Sequence, residues 1–296
     1  MAKSKTKARA QQPRPQGKGG ASSQQSRQAK IDAARKSSGG TGVNKIVVGS
    51  IVAVVAIVAI VGGVIFNSIH QKNQVSQGGK ALPAGVSAMG KGWQANQDVK
   101  LVAGAPTVAI YEDFRCPICK QLESAFGESI QQLATEGKVK LVYFFKTVID
   151  SNYGGDNSQQ AANNALCVAE AGSQYFWKYH NLLYTNQPDE GSTFTNAQFT
   201  QFAKQAGLSG TALDTWQKCA DAGKYMNYVK STDDASYKAG ITGTPAVFVN
   251  HKPVNWQAFS TSAGQPDAAA FSKALETGTL SQSQISTDLK NAKDLS

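Results

Sequence analysis

The sequence predicts an α/β domain, a small sheet interrupted by a helical insertion, preceded by a single transmembrane helix. Three observations lead there. An apolar run without charges occupies residues 46–66. Two β-prone runs flank a helix that opens on Cys116-Pro117-Ile118-Cys119. A third β-prone run returns at residues 246–250, after a stretch whose apolar residues recur at helical spacing.

The N-terminal part is set by charge. The chain of 296 residues has a net charge of +10, but residues 1–45 alone carry eleven Lys or Arg against Asp32. The remaining nineteen basic and nineteen acidic residues cancel, so a uniformly basic nucleic-acid-binding face is excluded. Residues 1–45 have too few large apolar side chains to offset the entropy of ordering, and are predicted to be a disordered cytoplasmic tail. Ile46 to Phe66 is 21 residues of mostly Val, Ile and Ala. At about 1.5 Å per residue it spans a hydrocarbon layer roughly 30 Å thick. The basic tail before it puts residues 1–45 inside and everything after about residue 67 outside. A cleaved signal peptide is the rival reading, but its apolar region is shorter and ends in a small-x-small site. Residues 67–97, with recurring Gln, Ser, Gly and Asn, are predicted to be an extracytoplasmic spacer in which Trp93 has no assigned role.

The folded domain is expected over residues 98–280, with a C-terminal tail at 281–296. Residues 106–111 form a β-prone run after the turn at Gly104-Ala105. Residues 120–137 continue as a helix, with Leu122, Phe126, Ile130 and Leu133 on one face. Residues 139–145 form a second β-prone run. The insertion, about 157–239, contains one helical segment at 159–184, another at 197–206, one over 211–220 with Thr211 as N-cap, and a longer one over 221–239. Residues 246–250 and 253–254 return to β, and a last helix covers 267–276 with Gly278 beyond its end.

The cysteines carry the chemistry. All four lie in the predicted extracytoplasmic part, where disulfides persist. Cys116 and Cys119 fall on the first turn of a helix that follows a strand. The unpaired N–H groups and positive end of that helix favour a thiolate at Cys116, and Pro117 suits the first helical position. Cys119, one turn in, is expected to be more buried and to act as the resolving thiol. The alternatives are a zinc half-site, for which the three His residues supply no ligand pair, and a purely structural disulfide. No metal site and no cofactor are expected. Cys167 and Cys219, 52 positions apart in the insertion, are expected to form a structural disulfide between two helices, with a shuttle role toward Cys116 as the alternative.

The segments Tyr111-Glu112-Asp113-Phe114-Arg115-Cys116-Pro117-Ile118-Cys119 and Gly240-Ile241-Thr242-Gly243-Thr244-Pro245-Ala246-Val247-Phe248-Val249-Asn250 resemble the DsbA-like thioredoxin-fold oxidoreductases, including the membrane-tethered forms of Gram-positive actinobacteria. The resemblance covers roughly residues 98–280 and implies a thioredoxin fold with a helical insertion. It implies that Cys116 is the exposed nucleophile, that Pro245 is cis and opposite the disulfide, and that Thr244 offers backbone groups to an extended substrate. Two departures matter. The strongest oxidants in the family carry His where Ile118 stands, so Cys116 is expected to be less acidic than theirs. The family's buried carboxylate, six residues before the nucleophile, is replaced by Ile110. Glu112, on the same strand face as Ile110, or Asp113 is a candidate for proton transfer; either is equally readable as a solvated charge at the strand end.

The expected activity is that of a protein-disulfide oxidoreductase, an oxidase that donates the Cys116–Cys119 disulfide to reduced secreted proteins. A membrane quinone-linked partner, DsbB-like or VKOR-like, is expected to reoxidise a monomeric enzyme. The alternatives are a tethered thiol reductase, as in cytochrome maturation, and a non-catalytic thioredoxin-fold binding module.

Overall fold

The computed structural model describes residues 79–296. The expected tail at 1–45, the anchor at 46–66 and the start of the spacer lie outside these residues. Among the described residues, no helix is long and apolar enough to cross a membrane.

The centre is a five-stranded mixed sheet. Its strands are β1 (Trp93–Gln94), β2 (Thr107–Glu112), β3 (Lys140–Phe145), β4 (Ala246–Val249) and β5 (Lys252–Val254), in the spatial order β1-β3-β2-β4-β5. β2 and β3 are parallel, in register from Thr107 opposite Lys140 to Glu112 opposite Phe145. Parallel neighbours need a crossover, and α1 (Pro117–Thr135) supplies it. β4 pairs antiparallel with β2, so Tyr111 near the end of β2 lies opposite Ala246 at the start of β4. That pairing brings the Cys116 loop beside Thr244-Pro245.

The alternation of a strand divides the core in two. Val108 and Ile110 face a large apolar cluster with α1, the insertion and α8 (Ala268–Thr277). Leu122, Phe126, Ile130 and Leu133 of α1 are buried there, and the Phe126 ring stacks on Phe271 of α8 at 4.3 Å. Ala109 and Tyr111 point the other way, to a smaller cluster with Val142, Phe144 and Phe248.

The insertion follows a short helix, α2 (Val148–Tyr153), and comprises α3 (Asn157–Ala169), α4 (Ser173–Thr185), α5 (Asn196–Ala206), α6 (Gly210–Asp221) and α7 (Met226–Lys238). The segment expected as one helix at 159–184 is two, because Gly172 adopts φ 126° between α3 and α4. The N-cap of α6 is Ser209 rather than Thr211, since Gly210 at φ 51° lets the chain turn into the helix earlier. The helix expected over 221–239 starts at Met226, after a turn at Gly223. Cys167 of α3 and Cys219 of α6 are joined in a disulfide with Cα atoms 5.8 Å apart.

Both expected boundaries of the folded domain move outward. Trp93 pairs with Tyr143 across β1 and β3, and its ring meets Phe176 at 4.6 Å. Leu82, Val86 and Met89 also pack on the core, so the end of the expected spacer is part of the fold. Residues 281–296 are no free tail: Leu289, Ala292 and Leu295 pack on the smaller core cluster. Asp294 accepts a hydrogen bond from the Tyr111 hydroxyl at 2.8 Å, and Val254 bridges Ile285. That sheet face is apolar, and this segment is what covers it.

Candidate active site

Cys116 is the N-cap of α1, with extended backbone (φ −78°, ψ 120°), and Pro117 follows in the first turn. Both cysteines are unbridged in this structure. Cys116 is 6% exposed and Cys119 fully buried, while Ile118 between them is 40% exposed. The Thr244–Pro245 peptide bond is cis, and the Cys116 sulfur lies 3.5 Å from the Thr244 carbonyl oxygen, which accepts from it only in the thiol form. A pocket of about 340 Å³ opens here, with Ile118, Thr242, Thr244, Pro245, Trp256 and Leu289 in its wall. Leu289 comes from the C-terminal segment.

The electrostatics separate the two thiols. The Cys116 thiol falls from the ordinary 9.0 to about 6. A hydrogen bond from Cys119 is the largest cause, acting against burial, and Thr244 and the N–H groups of Ile118 and Cys119 add to it. Burial pushes the Cys119 thiol well up, and the Cys116 sulfur and the Glu112 charge raise it further. At neutral pH Cys116 is therefore a thiolate and Cys119 a thiol.

The loop that carries Cys116 is held from several sides. Arg115 is buried, and its Nη1 lies 2.8 Å from Asp150 Oδ1 of α2. Its Nε and Nη2 donate to the Ser192 carbonyl, and Gln187 Nε2 donates to the carbonyls of Phe114 and Cys116. Asp113 is buried too. Its Oδ1 accepts from the Arg115 N–H at 2.8 Å and its Oδ2 from the Ile149 N–H at 2.9 Å. Burial raises its carboxyl to about 7 despite those bonds.

Glu112 is fully buried and faces away from solvent, so neither acid is a solvated strand-end charge. Its Oε1 meets His180 Nε2 of α4 at 2.9 Å, and its Oε2 has no partner. The Glu123 carboxylate of α1 joins them, the three groups lying within 4.8 Å of one another. Glu123 and His180 escaped the sequence reading. Glu123 stands four residues after Cys119, one helical turn along the same face, which is the only local signal it offers. His180 shares the inward face of α4 with Phe176, Leu183 and Tyr184. Two carboxylates and an imidazole are also donor types for a metal, but Glu112 Oε1 and His180 Nε2 are already bonded to each other. Cys167 and Cys219 have Glu170 nearby, and their sulfurs are held in the disulfide.

The sequence pattern of the family described as thioredoxin matches residues 103–277, more than half of the chain. The chain belongs to the thioredoxin family. Disulfide bond formation protein D of Bacillus subtilis is 26% identical to it over 184 residues, 62% of this chain and 78% of that protein. The structure of the MdbA protein of Actinomyces oris, a thiol-disulfide oxidoreductase, superposes with a TM-score of 0.55. It is 20% identical, covering 69% of this chain and 95% of its own, and that likeness is one of fold. DsbA of Mycobacterium tuberculosis is 28% identical over 63% of this chain and 91% of its own, with a TM-score of 0.49. This thioredoxin-family chain shares the fold of the Actinomyces oris protein, with a helical insertion between β3 and β4.

Proposed function

We propose that the chain is an oxidase that donates a Cys116–Cys119 disulfide to reduced secreted proteins. The observation that carries this reading is the Cys116 thiol, lowered to about 6 at the start of α1. A stabilised thiolate favours the reduced enzyme, and so favours passing the disulfide on. Similarity to a disulfide bond formation protein supports the same direction. In this reading a substrate thiolate attacks Cys116, and Cys119 leaves. The substrate's second thiolate then attacks the substrate sulfur of the mixed disulfide and releases Cys116. Thr244 and Pro245 flank the attacked sulfur, where Thr244 backbone groups pair with an extended substrate, and Ile118 offers an apolar contact beside it. Glu112 is the proton-transfer group. Asp113, both of whose oxygens accept backbone N–H bonds, anchors the loop instead.

Residues 46–66 anchor the enzyme, with the 1–45 tail inside and the catalytic domain outside. There a membrane quinone-linked protein of DsbB-like or VKOR-like type returns Cys116 and Cys119 to the disulfide. The test uses the full chain in detergent, oxidised and mixed with a reduced, unfolded secreted protein. Stoichiometric transfer of one disulfide per enzyme, lost in Cys116→Ser, is the expected result. A wild-type chain that stays oxidised while the substrate stays reduced would overturn the reading.

A further inference from the structure

The wall of the pocket beside Cys116 has two origins. Ile118 of α1, Thr244, Pro245 and Trp256 come from the part of the chain that matches the thioredoxin pattern, which ends at residue 277. Asp288 and Leu289 come from the C-terminal segment beyond it. These two residues therefore lie outside what the chain shares with its family, yet they line the place where a substrate must enter.

That segment is a strap tied on either side of the pocket. Before it, Ile285 bridges Val254 of β5, and the Ser286 N–H donates to the Pro253 carbonyl at 3.0 Å. After it, the Lys293 N–H donates to the Ala239 carbonyl at 2.8 Å, at the start of the loop that carries Thr244 and Pro245. Asp294 then takes the Tyr111 hydroxyl at 2.8 Å and meets His251 Nδ1 at 2.9 Å. Between these ties, Asp288 and Leu289 occupy a turn closed by the Lys290 N–H on the Thr287 carbonyl at 3.3 Å. Leu289 also packs on the smaller core cluster, so the turn cannot swing away without exposing apolar surface. The wall is in place before any substrate arrives, which lowers the ordering cost of binding.

Its chemistry is selective. The pocket holds about 340 Å³, close to the lower bound of roughly 300 Å³ for ligand sites. It has room for one or two side chains of an extended segment, not for a folded surface. Ile118, Trp256 and Leu289 make it apolar. Asp288 is the one charged residue in the wall, and it is exposed, with no ion-pair partner among the described residues. The strap's other late acid, Asp294, is by contrast paired with His251 and turned inward.

We propose that the C-terminal strap is the specificity wall of the substrate groove. Asp288 and Leu289 favour unfolded segments that carry a bulky apolar residue and a basic residue beside the reacting cysteine, and they disfavour acidic ones. This selectivity rests on the oxidase reading above and narrows its substrate class. The attacking group is itself an anion, so Asp288 opposes the approach of a substrate thiolate that comes alone. A Lys or Arg next to that thiolate offsets the repulsion and pairs with Asp288. An acidic neighbour adds to the repulsion. Leu289, with Ile118 and Trp256, takes the apolar side chain out of water.

The test uses the oxidised full chain in detergent and a set of reduced two-cysteine peptides of one length. The residues flanking the first cysteine are Leu or Ser on one side and Lys or Glu on the other, in both orders. The second-order rate of disulfide transfer is measured for wild type, Asp288→Asn, Asp288→Lys and Leu289→Ala. A basic neighbour makes the peptide thiolate more abundant by itself, so the readout is how the ratio of rates changes between variants. That ratio is taken within each variant, so a general loss of folded protein does not move it. The Lys-to-Glu ratio is expected to fall about threefold from wild type to Asp288→Asn, the scale of one exposed ion pair. It should fall further in Asp288→Lys, and the difference between variants should shrink at high salt. The Leu-to-Ser ratio is expected to fall about threefold in Leu289→Ala, the scale of one buried methylene. A Lys-to-Glu ratio that is the same in wild type, Asp288→Asn and Asp288→Lys would overturn the proposal and leave the oxidase reading standing. A Leu-to-Ser ratio unmoved by Leu289→Ala would overturn the part assigned to Leu289. A wild-type chain that transfers its disulfide to none of the peptides would overturn the oxidase reading, and the strap's selectivity with it.

Discussion

Removing the Cys119 sulfur tests how the Cys116 thiolate is held. The Cys116 thiol lies at about 6 instead of 9.0, and the hydrogen bond from Cys119 is the largest cause. A shift of three units corresponds to about 4 kcal/mol in favour of the thiolate. A hydrogen bond to a charged group contributes roughly 1.5–3 kcal/mol, or about one to two units on the same scale. Cys119→Ala deletes that bond and leaves the N–H groups of the α1 start in place, so Cys116 is expected to titrate at about 7 to 8 by this conversion. The sign follows from a lowered thiol. Its stabilisation of the reduced protein is fully present above the unfolded value of 9.0 and is lost as pH falls through about 6. At pH 7 the wild-type thiolate accordingly contributes about 1.4 kcal/mol, which the variant largely loses. The assay is the ultraviolet absorbance of the thiolate against pH in the reduced protein, with iodoacetamide reactivity as a second probe. A variant that still titrates near 6 would refute the role of the Cys119 bond. A wild type that titrates near 9 would refute the activated thiol altogether.

Three further outcomes follow from the packing and the active-site dipeptide. Asp150→Ala strands the buried Arg115 and removes an acceptor for the Ser158 and Gln159 N–H groups; a loss of about 3–5 kcal/mol in urea unfolding is expected, and a loss within error of zero would contradict it. Replacing both Cys167 and Cys219 by Ala opens a link across 52 positions and is expected to cost about 4 kcal/mol by the chain-entropy relation. Disulfide exchange at Cys116 should survive that change, and its loss would revive the shuttle role. Ile118→His places an imidazole beside the Cys116 thiolate and is expected to move the centre's potential from between roughly −270 and −120 mV toward the upper value; glutathione equilibration measures it, and an unchanged or lower potential would contradict the stated effect of Ile118.

Local patterns made the central sheet and the dithiol helix readable in the sequence. β2, α1 and β3 each keep their own period over enough residues, and Pro117 and the cysteines mark where α1 begins. The breaks in the insertion were harder, because Gly172 and Gly223 interrupt continuous apolar spacing by adopting positive φ, which composition does not announce. The ends of the domain are hidden in the sequence for a different reason. Trp93 and Leu289, Ala292 and Leu295 are isolated apolar residues in polar stretches, and they find their partners across the sheet rather than along the chain. The Glu112, His180 and Glu123 group shows the same limit at the site. It is assembled from β2, α4 and α1, and no spacing within any one of them marks the three as neighbours. The strand alternation favours Glu112 over Asp113 in the sequence; burial and hydrogen bonding separate them further, since Asp113 is tied to backbone N–H groups and Glu112 to an imidazole.

The central claim is the direction in which electrons flow through Cys116 and Cys119. The most direct test is acid quenching of cells that make the full chain, followed by thiol trapping that reads the redox state of this pair alone. Cys167 and Cys219 are replaced by Ala for the purpose, so that only one pair can shift. An oxidase waiting for newly exported substrate is expected to hold Cys116 and Cys119 mostly as the disulfide. A pair found mostly reduced in untreated cells would contradict that, and would make the chain a donor of electrons instead.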